Sequence, residues 1–143
     1  MPAERTTLIE WDDRYLTGDA VVDAQHKRLF ALARDVQTAV REGRLPQVQA
    51  DALQSLSLYC VEHFAEEERL MEEHAYPAAA EHRRQHDALA ARAVEMVKAF
   101  NKGNTLIGET FPEFISRWLR RHIGEEDVRL IRYVQQRVTA AAR

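Results

Sequence analysis

Four stretches of this chain set apolar residues at helical spacing, and each is interrupted on its apolar face by histidine or carboxylate. In the first, Leu29, Ala33, Val36 and Val40 recur at steps of three and four until Gly43, with His26 at the head of the stripe. The second carries Leu53, Leu56, Cys60, His63, Glu67 and Leu70 to about Met71, and Tyr76-Pro77 ends it because proline disfavours a helical conformation in the residue before it. The third holds His82, His86, Leu89, Ala93, Met96 or Val97, and Phe100, and the sequence NKGN at 101–104 breaks it. The fourth starts near Pro112, which a first helical turn tolerates, and runs through Trp118 and His122 to about Val138.

Four such helices with short connections, and no strand pattern or internal repeat to compete, predict an all-α, up-down-up-down four-helix bundle. The 143 residues suit a single domain with one core. Residues 1–20 show no sustained period and read as an extended N-terminal arm; the bundle occupies 21–138, and Asp23 is the expected N-cap of the first helix. In this topology helices one and three start, and helices two and four end, at the same pole. A rise of about 1.5 Å per residue places His26 within a turn of that pole and His63, Glu67, His82 and His86 roughly 6 to 15 Å from it. These side chains converge on one level, where buried imidazoles without a shared partner would be badly desolvated.

Helix four contains an irregularity. Its apolar face before residue 122 is Phe111, Phe114, Ile115, Trp118 and Leu119, with His122 on it. Continuing that face by threes and fours leads to Glu125, Glu126, Arg129, Arg132 and Tyr133, whereas the apolar residues that follow are Leu130, Ile131, Val134 and Val138. Stepping back from these lands on Asp127, so the face has slipped by one residue. Five residues of a straight helix turn a side chain by about 140° at 100° per residue, which would keep His122 and Asp127 from both pointing inward. A one-residue π-bulge across HIGEED at 122–127 removes the mismatch, and Gly124, a poor helix former, lies within it.

Composition narrows the chemistry. The 20 basic and 23 acidic residues are mixed along the chain and give a net charge of −3, without the basic stripe that nucleic acid requires. No apolar run approaches a membrane span, and the start MPAERTTLIEWDD lacks a signal-peptide core, so a cytoplasmic protein is expected with neither nucleic acid nor membrane as partner. The lone Cys60 cannot build a cysteine-rich zinc site and reads as core packing. His74 matches no inward position and reads as solvated, and the acidic run at Glu66, Glu68, Glu72 and Glu73 as a solvated face, with Glu67 set apart because it lies four after His63. The inward set is thus His26, His63, Glu67, His82, His86, His122 and Asp127. Seven donors exceed what one tetrahedral zinc takes, and a nitrogen-rich set with two carboxylates and no thiolate suits iron or another borderline metal.

The segments DAQHKRL (23–29), HFAEEERLM (63–71), YPAAAEHRRQH (76–86) and WLRRHIGEED (118–127) together resemble the hemerythrin family, within it the single-domain bacteriohemerythrins. The resemblance covers the chain from the Trp11 arm through helix four. It implies a non-heme di-iron centre, bridged by an oxo or hydroxo group, that binds dioxygen reversibly in a non-enzymatic role of storage, delivery or sensing, with a separate protein partner for delivery or sensing. Carried onto this chain, His82, His86 and His122 would hold one iron and His26 and His63 the other, with Glu67 and Asp127 bridging. The dioxygen pocket would be walled by Leu29, Phe64, Trp118 and Ile123. An alternative is a di-iron redox protein or enzyme that reacts with peroxide or nitric oxide. A ferritin-like oxidase is disfavoured because position i−3 before the inward histidines of helices two to four holds Cys60, Ala79, Arg83 or Leu119 rather than glutamate. A zinc hydrolase is disfavoured because HExxH is absent.

Overall fold

Helix α1 spans Ala20–Arg41, α2 Pro46–Glu73 and α3 Ala79–Asn101 in a computed structural model that describes residues 8–102 and 107–142. Helix α4 runs over 107–141 as an α-helical segment Ile107–Arg121, a π-helical turn His122–Asp127 and a second α-helical segment Val128–Ala141. Helix α1 packs on α2 and α4, and α3 on the same two, which closes the ring of the four-helix bundle; no strand occurs among the described residues. The expected slip is therefore a real π turn, flanked by helix on both sides.

The ends of the helices follow local chemistry. Asp19, not Asp23, caps α1: its carboxylate accepts from the Val22 amide. Asp23 lies one turn inside and binds the arm instead, accepting from the Thr17 amide at 2.8 Å, its hydroxyl at 2.7 Å and the Gly18 amide at 3.2 Å. The α1 terminus is a Schellman turn, with Gly43 at φ 61° and amide bonds from Arg44 to Ala39 and from Gly43 to Val40. The α2 terminus repeats that turn with Ala75 at φ 50°, Tyr76 bonding back to Met71 and Ala75 to Glu72. Pro112 lies inside α4 rather than at its start, five residues beyond Ile107, so the sequence placed this start late. Val138 is exposed, and the helix runs past it to Ala141. The side chains of Phe100 and Phe111, the later part of the NKGN break and residues 1–7 of the arm lie outside the described residues.

The arm is tied down from Ile9 onward. Buried Gln37 accepts from the Ile9 amide at 2.7 Å, and a short 3-10 turn, Asp13–Tyr15, lays Tyr15 against Phe30 beside Trp11. A Cβ on Gly124 would sit 3.4 Å from the Tyr15 ring, so the π turn is covered by the arm at ordinary contact distance.

Apolar burial occurs in two clusters. The larger includes Leu29, Phe30, Val36, Leu56, Phe64, Leu89, Leu119 and Ile123 and takes in the arm. The smaller comprises Val22, Met71, Leu130, Ile131 and Val134 near the pole. Between them lies a layer of buried histidine and carboxylate.

Candidate metal centre

All seven expected donors are in that layer, each at most 3% exposed. Helix periodicity brings them there: His26 from α1, His63 and Glu67 one turn apart on α2, His82 and His86 one turn apart on α3, and His122 and Asp127 across the π turn of α4. Glu126 points away and pairs with Arg129 at 3.4 Å. Two donor groups form, each with its ligand atoms within 4.8 Å of one another: Glu67, His82, His86, His122 and Asp127 in one, His26, His63, Glu67 and Asp127 in the other. Both carboxylates belong to both groups.

The oxygens divide between the two sides. Asp127 Oδ2 faces His26 Nε2 at 2.9 Å and His63 Nε2 at 3.8 Å, while Oδ1 faces His82 and His122 Nε2, each at 3.1 Å. Glu67 Oε1 lies 2.8 Å from His63 Nε2, and Oε2 lies 3.2 Å from His82 Nε2. Short as these distances are, His26 Nε2, His63 Nε2, Glu67 Oε1 and both Asp127 oxygens are buried without an aligned hydrogen bond. His86 and His122 present Nε2 to Nε2 at 3.1 Å. Donor atoms that crowd together without pairing converge on points between them, where a cation would satisfy all of them. Five nitrogens, two carboxylates and no sulfur fit a borderline cation such as iron.

Electrostatics agree. Burial opposes charge on His63 and His82, but the adjacent Asp127 and Glu67 carboxylates outweigh it and raise the two pKa values to about 9 and about 10. Burial lowers His86. Both carboxyls are held below their usual range: burial would raise them, and the surrounding imidazoles more than offset it. Without a cation, protonated His63 and His82 therefore neutralise the carboxylate pair.

Two residues that sequence reasoning missed orient the donors. Gln25 Oε1 lies 2.7 Å from His63 Nδ1, and Gln85 Oε1 lies 2.8 Å from His122 Nδ1. An amide oxygen there holds the proton on Nδ1 and leaves the Nε2 lone pair facing inward, as the hydrogen-bond partners behind metal-bound histidines do. The signal was present: each glutamine immediately precedes an inward histidine, in AQH and RQH, and reaches the histidine of the next helix.

The four expected pocket residues all join the larger apolar cluster, Leu29, Phe64 and Ile123 buried and Trp118 half-buried. Phe64 stacks on His86, centroids 3.9 Å apart, and Trp118 on His122 at 4.3 Å. Cys60 is buried in the same cluster, its thiol pushed up to about 12 by burial, so it packs as an apolar side chain. His74 is half-buried rather than solvated, caps α2 and belongs to neither donor group.

Comparison with known proteins matches residues 17–134 to the hemerythrin HHE cation binding domain. A bacteriohemerythrin of Pseudomonas aeruginosa is 32% identical over 117 residues, covering 82% of this chain and 75% of the relative. One from Stenotrophomonas maltophilia is 32% identical over 123 residues, covering 84% and 77%. A crystal structure of a hemerythrin leucine-to-tyrosine mutant superposes with a TM-score of 0.83 at 25% identity, covering 90% of this chain and 98% of that one.

Proposed function

The chain belongs to the hemerythrin family, and from that premise we propose that it binds dioxygen reversibly at a non-heme di-iron centre. In this reading His82, His86 and His122 would hold one iron, His26 and His63 the other, and Glu67 and Asp127 would serve both, beside an oxo or hydroxo group. The observation that carries the proposal is the pair of donor groups sharing both carboxylates, one with three histidines and the other with two. With three bridges, three histidines complete six donors on one side and two leave the other a donor short, so the ligand is expected on the side of His26 and His63.

When bound, the iron pair supplies the electrons that dioxygen takes up on binding and returns on release. The protein's own residues do the rest. Gln25 and Gln85 fix the tautomers of His63 and His122. Phe64 and Trp118 hold the rings of His86 and His122 in place by stacking. Leu29 and Ile123 close the centre with apolar side chains, and Phe64 and Trp118 cover it on the three-histidine side, against His86 and His122. Residues 1–143 act in this reading as one cytoplasmic unit that stores, delivers or senses oxygen.

The test is to reduce the iron-loaded protein anaerobically, admit air and record the visible spectrum through several cycles. A charge-transfer band that appears and disappears reversibly supports the carrier. Rapid irreversible oxidation with consumption of peroxide supports the enzyme alternative.

A further inference from the structure

The outer face of helix α4 carries an open groove of about 750 Å³ against the arm, bounded by Arg14, Arg117, Arg120 and Arg121 and backed by Trp118. Elsewhere Arg34, Arg41, Arg44, Arg69, Arg84 and Arg129 pair with carboxylates, while Arg28, Arg83, Arg92, Arg132 and Arg137 stand singly without an ion pair among the described residues, so it is the gathering of arginines that sets the groove apart. In the groove Arg14 donates to the Tyr15 hydroxyl and Arg120 to the Ser116 carbonyl, Arg117 is exposed, and none of the three forms an ion pair among the described residues. Arg121 lies 3.7 Å from Glu125, and both are largely exposed. Helix-dipole compensation does not account for Arg120 and Arg121, because the helix continues through the π turn and exposes no terminal carbonyls there. Four arginines line one groove of a chain of net charge −3, and with Glu125 beside Arg121 and Asp12 near Arg14 the cations still outnumber the carboxylates there.

A second observation says what the groove faces. Trp118 is its rear wall and also lies flat on His122, 16° from parallel with centroids 4.3 Å apart. A neighbouring cleft of about 270 Å³ shares Trp118 and Arg121 and reaches His122 itself. The arginine face is thus one aromatic ring from the three-histidine side of the proposed centre, opposite the side left for dioxygen. Being open to solvent, the groove suits the surface of another protein better than a small molecule, which would stay largely hydrated there.

We propose that this groove docks an acidic electron-donor protein, which re-reduces the oxidised centre through Trp118 and His122. The inference rests on the di-iron reading. Each encounter moves one electron: the donor is oxidised by one, one ferric ion becomes ferrous, and two encounters restore the pair. Docking is steered by charge, so its rate falls with ionic strength.

The test uses iron-loaded, air-oxidised protein with reduced rubredoxin, a small acidic one-electron donor, as probe. Stopped-flow reduction is compared for the parent and the Arg117→Glu/Arg120→Glu variant, with reduced methyl viologen as a small cationic control. The charge reversal is expected to slow reduction by rubredoxin about tenfold or more, and rising salt to slow the parent. Reduction by methyl viologen should not slow. Trp118→Leu should lower the rate at saturating rubredoxin while amide shifts at 14 and 117–121 still report binding. Equal rates in parent and reversal variant, shifts mapping elsewhere, or a self-dimer of this chain that the reversal dissociates would overturn the proposal. Iron content and reversible oxygenation are measured on every sample; where both survive and donor dependence is absent, the docking inference fails and the oxygen-binding reading stands.

Discussion

The polar layer divides the bundle interior unequally. On one side the larger cluster draws on all four helices and the arm, with Phe30, Leu56, Leu119 and Ile123 almost wholly buried. On the other, five buried residues, Val22, Met71, Leu130, Ile131 and Val134, lie between the layer and the pole, aided by Leu70, Tyr76 and Ala79. The larger half is held by apolar burial of its own. The smaller half is bounded by seven donors whose charges must be matched, by protons or by cations, before the helix ends around it can settle. Fold and centre are thus coupled mainly at the pole.

The most severe way to break this asymmetry is Asp127→Ala, which removes the carboxylate facing both sides. Iron content should fall to near background, whereas Glu126→Ala, which alters an outward ion pair, should retain it; equal content in the two would sink the bridging assignment. Hydrogen exchange in the same Asp127→Ala protein should accelerate at residues 128–135 and remain slow at 29–39, where the larger cluster lies.

Smaller changes test the donors' supports. Gln25→Ala and Gln85→Ala should each weaken metal binding about 10- to 100-fold, read by competition with a chelator, with little change in the unfolding midpoint of the metal-free protein.

Proton balance sharpens the comparison further. His63 and His82, raised to about 9 and about 10, contribute stability that is whole below their unfolded value of 6.5 and is lost as pH rises through 9 to 10. Glu67 and Asp127, held low, contribute stability present above their unfolded values of 4.5 and 3.8 and lost as pH falls below them. Metal-free protein should therefore show its highest thermal midpoint between pH 4.5 and 6.5. Metal loading at pH 7 should release about two protons from His63 and His82, and about one or two more where a hydroxo or oxo bridge forms from water, measurable as a buffer-dependent heat. A midpoint that does not fall as pH rises from 6.5 through 10, or as it drops below 4.5, would break the argument.

The smallest effect concerns the pole turn. Ala75→Gly relieves a left-handed alanine and should stabilise by about 1 kcal/mol, measured by denaturant unfolding. Gly43→Ala, at the matching turn of α1, should destabilise by a similar amount.

Much of this was legible because helices declare their inward faces repeatedly. His63 with Glu67, and His82 with His86, fall on stripes long enough to fix their direction, and the slip at 122–127 showed because apolar residues flank it on both sides. What escaped lies off those stripes. Asp19 and Asp23 are equally good capping residues, and only Thr17 and Gly18 folding back onto Asp23 decides between them. Pro112 costs its helix an amide donor and crowds the carbonyl four residues back, so the sequence favours it in a first turn, yet α4 carries it further in. Gln25 and Gln85 occupy helix flanks, and the arginine groove joins Arg14 to residues a hundred positions away, which no local period records.

The π turn carries a final consequence. Helix α4 holds one residue more than its path needs: removing any one of 123–126 would put the histidine and aspartate four apart and merge two offset apolar faces into one unbroken stripe. The shortened chain would form an ordinary helix through that region. A route to greater regularity is thus a single codon deletion away, and the surplus residue behaves like a deliberate misalignment between two scales, readable only where they meet, at the metal-binding layer.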